Sequence, residues 1–328
     1  MINLAIIGAG SIAAVLAKTI VMMNSRGDSK VKLYAVGSRS KEKSEYFSKE
    51  YGAIKAYGSY DEIYNDPEVD LVYIATPHNF HYEQVKKALE HKKHVLCEKA
   101  FTINAKQAQE LCDLAKENNV LLCEAIWTRY QPMRQIINDV VASGIIGVPM
   151  MVTANLSYSM AHKERLQKPE LAGGALLDVG IYALNFANMV LGDPDYVEAL
   201  CIKNSLGVDM SDSVTFTYEK TGQMAVLCAS ALAVSDRYGM IHGTNGFIQV
   251  ENINNPQKLT VFDKEYKVVK EINCPEQLTG YEYELTECAE CIEKGLIECP
   301  SMPHERTIYM MNLMDSIRAQ LAVKYPFE

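Results

Sequence analysis

The chain has 328 residues and 48% of them are hydrophobic, so it is long enough for two domains and too apolar to be disordered. Lys and Arg number 32 against 41 Asp and Glu, and the net charge of −9 argues against nucleic acid or an anionic membrane as a partner. The nine cysteines are scattered, and the sequence shows neither a recognisable signal peptide nor an uninterrupted apolar stretch of ~18 residues. We therefore expect a cytoplasmic protein with reduced thiols.

The first part of the chain alternates apolar strands with helices. Strands are predicted at 3–7, 31–38, 69–77, 94–99 and 120–127, and helices at 8–23, 41–52, 59–67, 81–93 and 104–119, with a short stretch at 54–58 left unassigned. Because these strands lack polar alternation, they are typical of a parallel sheet that helices cover on both faces. Residues 1–125 are therefore predicted to form a doubly wound, dinucleotide-binding Rossmann domain of the α/β class.

After Trp127 the pattern changes to longer strands and hairpin signals. Helices are predicted at 130–144, 173–192, 281–294 and 304–322, and a long strand at 148–160. Strand signals dominate from 195 to 273, where Gly222 and Asn245-Gly246 mark two hairpins. We predict that residues 126–328 form an α+β domain with a large, open, mainly antiparallel sheet. The final two helices fit either domain.

The loop after the first strand carries the pattern of a dinucleotide-binding turn. In GAGSIA, Gly8 permits a tight turn, Gly10 lets a pyrophosphate approach the backbone, and Ala13 lets the helix pack closely on the sheet. Ser11 and Ile12 begin that helix, whose N–H groups and dipole attract phosphate. The strand before and the helix after favour this role over an ordinary strand–helix turn.

The end of the second strand indicates which dinucleotide binds. NAD enzymes usually place an Asp or Glu there for the ribose hydroxyls, whereas this chain has Ser38 and Arg39. A guanidinium pairs with a 2′-phosphate, and a hydroxyl donates a hydrogen bond to it. We therefore expect NADP as the cofactor, with NAD as the alternative because Arg39 can also stack on adenine.

Other strand ends carry polar side chains, and ligands of doubly wound sheets bind at this edge. The residues that we expect to contact the cofactor are Thr76, Pro77, Asn79 and His81 after one strand, Glu98 and Lys99 after the next, and Trp127 and Arg129 after a third. The alternatives are a solvated Glu98–Lys99 pair, a local hydrogen bond of His81, and core packing of Trp127.

Cys288 and Cys291 form the one close cysteine pair, with a spacing that also occurs in zinc sites. Cys299 and His304 are conceivable further ligands. The stretch 281–294 nevertheless has helical periodicity and the chain has no second CxxC, so the sequence favours buried helix thiols. We therefore predict that the chain has no metal site.

Several motifs occur in the order found in one oxidoreductase family. They are GAGSIA at 8–13, ATPHNFHYE at 75–83, CEKA at 97–100, EAIWTRYQP at 124–132 and GGALLDVGIYALN at 173–185. In these motifs the chain resembles the Gfo/Idh/MocA family, named after glucose–fructose oxidoreductase, inositol dehydrogenase and rhizopine catabolism. EAIWTRY and a tyrosine at Tyr182, where other branches have histidine, make it most similar to the dimeric dihydrodiol dehydrogenases and NADP-linked aldose dehydrogenases.

The resemblance implies an N-terminal Rossmann domain and homodimers or homotetramers built through the C-terminal sheet. It also implies hydride transfer between NAD(P) and an alcohol carbon of an aldose, polyol or cyclic trans-diol. Lys99 matches the lysine of the family's Glu-Lys-Pro motif, Tyr182 matches its acid/base, and Asp178 matches the aspartate of its Asp-x-Gly-x-His/Tyr motif. Ala100 replaces the family's proline, and we expect a trans bond there with a looser backbone.

The chemistry of these residues agrees with the implied roles. Asp178 and Tyr182 stand four residues apart, so a helix would place them on one face. A free tyrosine, with a pKa near ~10, is a poor base, and the ammonium of Lys99 would favour its phenolate. Tyr182 would then take the alcohol proton as hydride leaves, or return it in reverse. The alternatives are a core aromatic at Tyr182 and a buried acid with another partner at Asp178.

Two other functions fit parts of the sequence. Cys97 is a candidate nucleophile for an aldehyde dehydrogenase, but it lies in an apolar strand without an evident base. A dinucleotide-binding redox sensor without turnover would not need Lys99 and Tyr182, which this chain retains. The sequence thus favours a dehydrogenase that acts on a small sugar, polyol or diol.

Overall fold

The computed structural model describes residues 1–27 and 29–328, which form two compact units. The first unit comprises Met1–Tyr130 and Gln277–Met311, and the second comprises Gln131–Glu276 and Asn312–Glu328. The sequence predicts one domain over residues 1–125 and a second over 126–328. In the structure, Gln277–Met311 belong to the first unit, because this segment packs back onto the first sheet.

Strands and helices alternate in the first unit, and strands dominate the second. The strands are β1 (Ile2–Ile7), β2 (Val31–Gly37), β3 (Lys55–Tyr57), β4 (Leu71–Ile74), β5 (His94–Glu98), β6 (Leu122–Ala125), β7 (Pro149–Ser157), β8 (Tyr196–Lys203), β9 (Asp209–Tyr218), β10 (Gln223–Ser230), β11 (Gly239–Gly243), β12 (Gly246–Glu251), β13 (Lys258–Asp263) and β14 (Val268–Asn273). The helices are α1 (Ser11–Arg26), α2 (Lys41–Tyr51), α3 (Tyr60–Asn65), α4 (His81–Glu90), α5 (Ala105–Asn118), α6 (Pro132–Ala142), α7 (Glu164–Gln167), α8 (Ile181–Leu191), α9 (Glu282–Glu293) and α10 (His304–Leu321).

The sheet of the first unit has six strands in the order β3-β2-β1-β4-β5-β6. All neighbouring strands are parallel. The strand order reverses beside β1, which confirms the predicted doubly wound arrangement. All four residues of β4 are buried, as helices on both faces of a parallel sheet require. The carboxyl ends of β1, β2, β4, β5 and β6 therefore share one edge, and the predicted cofactor residues follow these ends.

Local sequence signals explain where several helices begin and end. Ser40 caps α2 by accepting a hydrogen bond from the N–H of Lys43. Ser59 and Glu62 form a reciprocal capping box at the start of α3. Helix α1 ends at Gly27, whose φ of 82° lies in the left-handed region that glycine adopts without a steric penalty.

The sheet of the second unit has eight strands in the order β14-β13-β12-β11-β7-β10-β9-β8. Every neighbouring pair is antiparallel except β7 and β10, which are parallel. This arrangement confirms the predicted large, mainly antiparallel sheet. Both predicted hairpins occur, because Gly222 lies between β9 and β10 and Asn245-Gly246 joins β11 to β12.

Helix α8 packs against β7 and β10 of this sheet and is buried from Ile181 to Asn188. The stretch Pro169–Leu191 has the length and mean hydropathy, 1.4, of a membrane span, but 83% of its most apolar window is buried, as is typical of a core helix. The prediction of one α-helix over 173–192 is wrong in its first half. Leu176–Gly180 form a π-helical turn instead, and α8 begins after it.

Candidate active site

The glycine loop after β1 has the backbone geometry that phosphate binding requires. Gly8 has a φ of 99°, and a Cβ there would lie 2.9 Å from the carbonyl oxygen of Ala75, so the turn needs glycine. A Cβ on Gly10 would meet no described atom within 4 Å, so open space adjoins its backbone. Gly10 precedes α1, and no described side chain caps this helix, so its first N–H groups suit an anion. Ser11 and Ile12 supply the first turn, and Ser11 is exposed.

A cavity of about 220 Å³ joins this loop to the ends of β2 and β4. The predicted cofactor residues that line it are Gly8, Gly10, Ser38, Arg39, Thr76 and Pro77. A second cavity of about 440 Å³ shares Arg39, Tyr60 and Phe80 with the first and extends to Lys87. The first unit therefore offers room for phosphate, ribose and base along its sheet edge, and its residues fit a dinucleotide.

Ser38 and Arg39 stand at the wall of the first cavity. The hydroxyl oxygen of Ser38 accepts a hydrogen bond from the N–H of Ser40 at 3.3 Å. The exposed guanidinium of Arg39 lies 6.0 Å from the centre of the Phe80 ring. A hydroxyl and a planar cation are thus present where an NAD enzyme usually has a carboxylate.

Thr76 and Asn79 follow β4 at the same edge. The Thr76 hydroxyl donates a hydrogen bond to Oε1 of Gln84 at 2.6 Å, which orients this side chain in the cavity wall. Asn79 lies in the 3-10 turn His78–Phe80. Its Oδ1 is buried and has no hydrogen-bond partner among the described residues, an arrangement that suits a ligand donor.

His81 is fully buried and links two strand ends. Its Nε2 lies 2.8 Å from the carbonyl oxygen of Thr76, and its Nδ1 lies 3.0 and 3.2 Å from those of Ala100 and Phe101. Burial lowers the pKa of this imidazole, while the hydrogen bonds to the three carbonyl oxygens act in the opposite direction. The structure thus places His81 behind the cavity wall, in the hydrogen-bonding role that was the alternative to cofactor contact.

Glu98 ends β5, and Lys99 follows it. The Glu98 carboxylate accepts hydrogen bonds from the hydroxyl of Tyr73 and, at 3.2 Å, from the backbone N–H of Lys99. Glu98 is 7% exposed, whereas Lys99 is half-buried. The pair is therefore not a solvated loop, because the sheet binds the carboxylate while the lysine remains partly accessible.

The peptide bond between Lys99 and Ala100 is cis, so the expectation of a trans bond is wrong. Ala100 and Phe101 are both buried, and their carbonyl oxygens both face the ring of His81. Tertiary contacts, rather than the proline of the family motif, hold the backbone after the lysine.

Trp127 and Arg129 lie in a 3-10 turn directly after β6. Trp127 stacks on Tyr281, with ring centres 4.2 Å apart and planes 16° from parallel. Arg129 is 5% exposed, and its charge opposes the burial that raises the pKa of Glu124 to about 7. Both side chains are packed within the first unit, which for Trp127 is the core-packing alternative.

The second unit pairs Asp178 with a residue that the sequence did not predict. Asp178 lies in the π-helical turn and Tyr182 in the first turn of α8, and they are 5% and 7% exposed. Arg165 donates hydrogen bonds from Nη1 and Nη2 to the two carboxylate oxygens of Asp178, at 2.8 and 3.1 Å. Arg165 lies in the short helix α7, which carries no recognisable motif, so no local signal indicates this partner.

An acidic pair on β9 holds the π-helical turn. Oδ2 of Asp209 accepts a hydrogen bond from the N–H of Leu176 at 2.7 Å, which fixes the start of the turn outside the regular helical ladder. A Cβ on Gly174 would lie 2.3 Å from Oδ1 of Asp209, so this glycine makes room for the carboxylate. Burial, followed by the charge of Asp209, raises the pKa of Asp212 to about 9, so the pair keeps a proton at neutral pH.

Comparison with known sequences agrees with this geometry. Residues 2–125 match the Gfo/Idh/MocA family, described as an oxidoreductase family with an NAD-binding Rossmann fold, and residues 134–249 match the Gfo/Idh/MocA C-terminal domain. The trans-1,2-dihydrobenzene-1,2-diol dehydrogenase of Xenopus tropicalis is 34% identical over 300 residues, covering 89% of this chain and 90% of the relative. The chain belongs to the Gfo/Idh/MocA family.

Two further comparisons bear on the Gfo/Idh/MocA assignment. The D-xylose 1-dehydrogenase (NADP(+)) of Hypocrea jecorina is 33% identical, covering 89% of this chain and 83% of the relative. The solved aldose–aldose oxidoreductase of Caulobacter crescentus has a TM-score of 0.86 at 20% identity, over 98% of this chain and 97% of that chain, and shows the shared fold. The family resemblance and the fold class are thus confirmed, and the chain is an oxidoreductase with an NAD-binding domain.

Proposed function

We propose that this Gfo/Idh/MocA member is an NADP-dependent dehydrogenase that acts on an alcohol carbon of an aldose, polyol or cyclic trans-diol. The observation that carries the proposal is the position of Ser38 and Arg39 at the wall of the cavity that begins at Gly8 and Gly10. A 2′-phosphate beside the adenosine ribose would meet a guanidinium and a hydroxyl there. The names of the relatives, which specify a cyclic diol and an aldose, support the substrate class.

In this proposal the first unit holds the cofactor. Gly8, Gly10 and the first turn of α1 would bind the pyrophosphate, and Ser38 and Arg39 the 2′-phosphate. The unpartnered Oδ1 of Asn79 is a further cofactor acceptor at this edge. When bound, the cofactor would supply the redox chemistry, with NADP⁺ as the hydride acceptor for the alcohol and NADPH as the hydride donor for the carbonyl.

Tyr182 is proposed as the acid/base and Lys99 as its assistant. The Tyr182 hydroxyl would take the alcohol proton, and the Lys99 ammonium would stabilise the phenolate that does so. Asp178 would bind a substrate hydroxyl or orient the lysine. Its two bonds to Arg165 restrain the carboxylate in one plane.

A substrate screen tests this function directly. Aldoses, polyols and trans-diols are offered with NADP and, in parallel, with NAD, and NADPH or NADH formation is followed by absorbance. We expect turnover of at least one of these classes, with NADP preferred. Binding of NADPH without turnover of any class would instead favour the redox-sensor alternative, and activity on aldehydes alone would favour the aldehyde dehydrogenase.

The structure gives little support to a Cys97 nucleophile. Cys97 is fully buried, and its Sγ faces the carbonyl oxygens of Glu98 and Phe101. Burial raises the pKa of this thiol well above its ordinary value, which disfavours the reactive thiolate. A dehydrogenase that uses Tyr182 and Lys99 is therefore the better supported proposal.

We also propose that the protein forms a homodimer or homotetramer through the second sheet. Strand pairing places four exposed apolar residues on the face opposite α8, and these are Leu200 (78% exposed), Ile202 (64%), Met224 (42%) and Met151 (36%). A second copy is the partner that would cover such a face. Light scattering after gel filtration should show a molar mass that is a multiple of the 36.6 kDa chain mass. Leu200→Glu should lower this molar mass. A monomeric wild-type protein would contradict the proposed assembly.

A further inference from the structure

Three cysteine thiols from distant parts of the sequence meet inside the first unit. Cys123 lies in β6, Cys288 in α9 and Cys299 in the segment that follows α9. Their sulfur atoms all lie within 4.8 Å of one another, and the Sγ atoms of Cys288 and Cys299 are 3.8 Å apart. None of the three residues is more than 2% exposed.

A fourth thiol adjoins this group. Cys291 is one helical turn from Cys288 on α9, is 3% exposed, and lies within hydrogen-bonding reach of the Cys299 thiol. His304, the other ligand that the sequence made conceivable, faces elsewhere: its Nε2 lies 2.9 Å from the carbonyl oxygen of Leu122, and its Nδ1 lies 3.7 Å from Glu298. The donor set is therefore four sulfurs.

The spacing of the sulfurs suits a tetrahedral metal ion. Four thiolates at ~2.3 Å from Zn²⁺ stand ~3.8 Å apart from one another. The Cys288–Cys299 distance equals such an edge, and the Cys123 sulfur lies within 4.8 Å of both these sulfurs. A disulfide, by contrast, needs sulfurs at ~2.05 Å and would join only two of the four.

Backbone and side-chain hydrogen bonds hold the segments that supply these thiols. The N–H of Leu122, beside Cys123, donates to the carbonyl oxygen of Ile297 at 3.0 Å. The N–H and hydroxyl of Ser301 donate to Glu287, at 2.8 and 2.7 Å, and so join the Cys299 loop to α9. The cluster is thus positioned by its surroundings at the junction of edge strand β6 with the returning segment.

We propose that Cys123, Cys288, Cys291 and Cys299 bind one thiophilic divalent cation, with Zn²⁺ as the favoured ion, in a closed structural site. On binding, each thiol would release its proton to solvent and form a sulfur–zinc bond, without any change of oxidation state. The site would attach the segment Gln277–Met311 to the first sheet. This reverses the prediction, made from sequence spacing alone, that the chain has no metal site.

Metal content and cobalt spectroscopy of the reduced, full-length protein test the proposal. After incubation with Zn²⁺ and desalting, we expect about one zinc per chain by mass spectrometry. Co²⁺ in place of Zn²⁺ should give the visible bands of a tetrahedral tetrathiolate centre, and Zn²⁺ should abolish them. These measurements involve no turnover, so they stand apart from the proposed dehydrogenase activity.

Variants identify the ligands. Cys288→Ser should lose the bound metal, and Cys291→Ser should shift the cobalt bands toward a three-thiolate centre. Cys112→Ser is the matched control, because Cys112 is a buried thiol on α5 outside the cluster, and it should keep the metal. Absence of stoichiometric metal in the wild type, metal retained in Cys288→Ser, or a Cys288–Cys299 disulfide in the freshly purified protein would each overturn the proposal.

Discussion

The guanidinium of Arg165 binds the carboxylate of Asp178 through two hydrogen bonds, at 2.8 and 3.1 Å. The Arg165 side chain is 37% exposed and the Asp178 side chain 7%, so the pair lies between core and solvent. Such a two-point contact fixes both the position and the plane of the carboxylate. We therefore propose that Arg165 positions Asp178, which matches the aspartate of the family's motif.

Arg165→Met keeps most of the side-chain volume but removes the cation from Asp178. We expect kcat/KM to fall by at least ~10-fold, which requires only ~1.4 kcal/mol of lost transition-state stabilisation. Most of the loss should be in kcat, and Arg165→Lys should restore only part of it, because lysine cannot form the two-point contact. A merely structural role would instead lower the melting temperature and leave kcat of the folded fraction unchanged.

The control for Arg165 lies in the same segment. Lys168→Met removes an exposed ion pair with Glu164. Because such pairs contribute little, this variant should keep the wild-type kcat/KM and melting temperature. A wild-type kcat/KM in Arg165→Met as well would contradict the positioning role.

Gly8 and Gly10 should respond differently to alanine. Gly8→Ala would put a Cβ 2.9 Å from the carbonyl oxygen of Ala75 at a positive φ, so we expect a lower melting temperature without cofactor. Gly10→Ala meets no described atom within 4 Å, so the fold should be unaffected while cofactor affinity falls at least ~10-fold. Thermal melting and fluorescence titration with NADPH separate the two effects; wild-type affinity in Gly10→Ala would contradict the phosphate-binding role.

The sequence predicts the first unit's sheet well because its central strands, such as β4, are short apolar runs. The same patterning locates α9, predicted at 281–294 and observed at Glu282–Glu293. It does not predict that α9 belongs to the first unit, because helical periodicity identifies a buried face but not its partner. The stacking of Trp127 on Tyr281 is a contact of this non-local kind.

The candidate site is predicted where motifs are local and missed where contacts are distant. The strand-end residues Ser38, Arg39 and Thr76 line a cavity, as their place after parallel strands indicates. Arg165 and Asp209 were not predicted, because each reaches the π-helical turn from a segment without a motif of its own. The cysteine cluster likewise joins three segments, and only the Cys288–Cys291 spacing is visible in sequence.

Arg39→Ala should change cofactor preference. Loss of the guanidinium removes a charge-assisted partner of the 2′-phosphate, so we expect the Kd for NADPH to rise ~10-fold or more. NADH lacks that phosphate and is the internal control, with a Kd that should change much less. Fluorescence titration with both cofactors measures the ratio, and equal losses for the two would contradict the phosphate role.

Tyr182→Phe and Lys99→Met should each abolish most turnover. Removing the hydroxyl that we propose transfers the proton, or the ammonium that we propose assists it, should lower kcat by ~100-fold or more. NADPH affinity of Tyr182→Phe should remain close to that of the wild type. The pH profile of the wild-type kcat should show a basic group that Tyr182→Phe lacks. Near-normal turnover in either variant would refute the catalytic assignment.

Asp212 should make the protein less stable as pH rises. Burial, followed by the charge of Asp209, raises its pKa from the ordinary value of 3.8 to about 9. Between these values the unfolded chain releases the proton while the folded chain keeps it, so the free energy of unfolding falls by up to ~1.4 kcal/mol per pH unit. Above the folded pKa the decline ends.

Asp212→Asn mimics the protonated acid and still donates a hydrogen bond to Asp209, so it should reduce this slope. Urea denaturation at several pH values should therefore show a stabilising effect of Asp212→Asn that grows from about pH 7 to about pH 9. A stability difference that is independent of pH would mean that Asp212 is ionised in the folded protein.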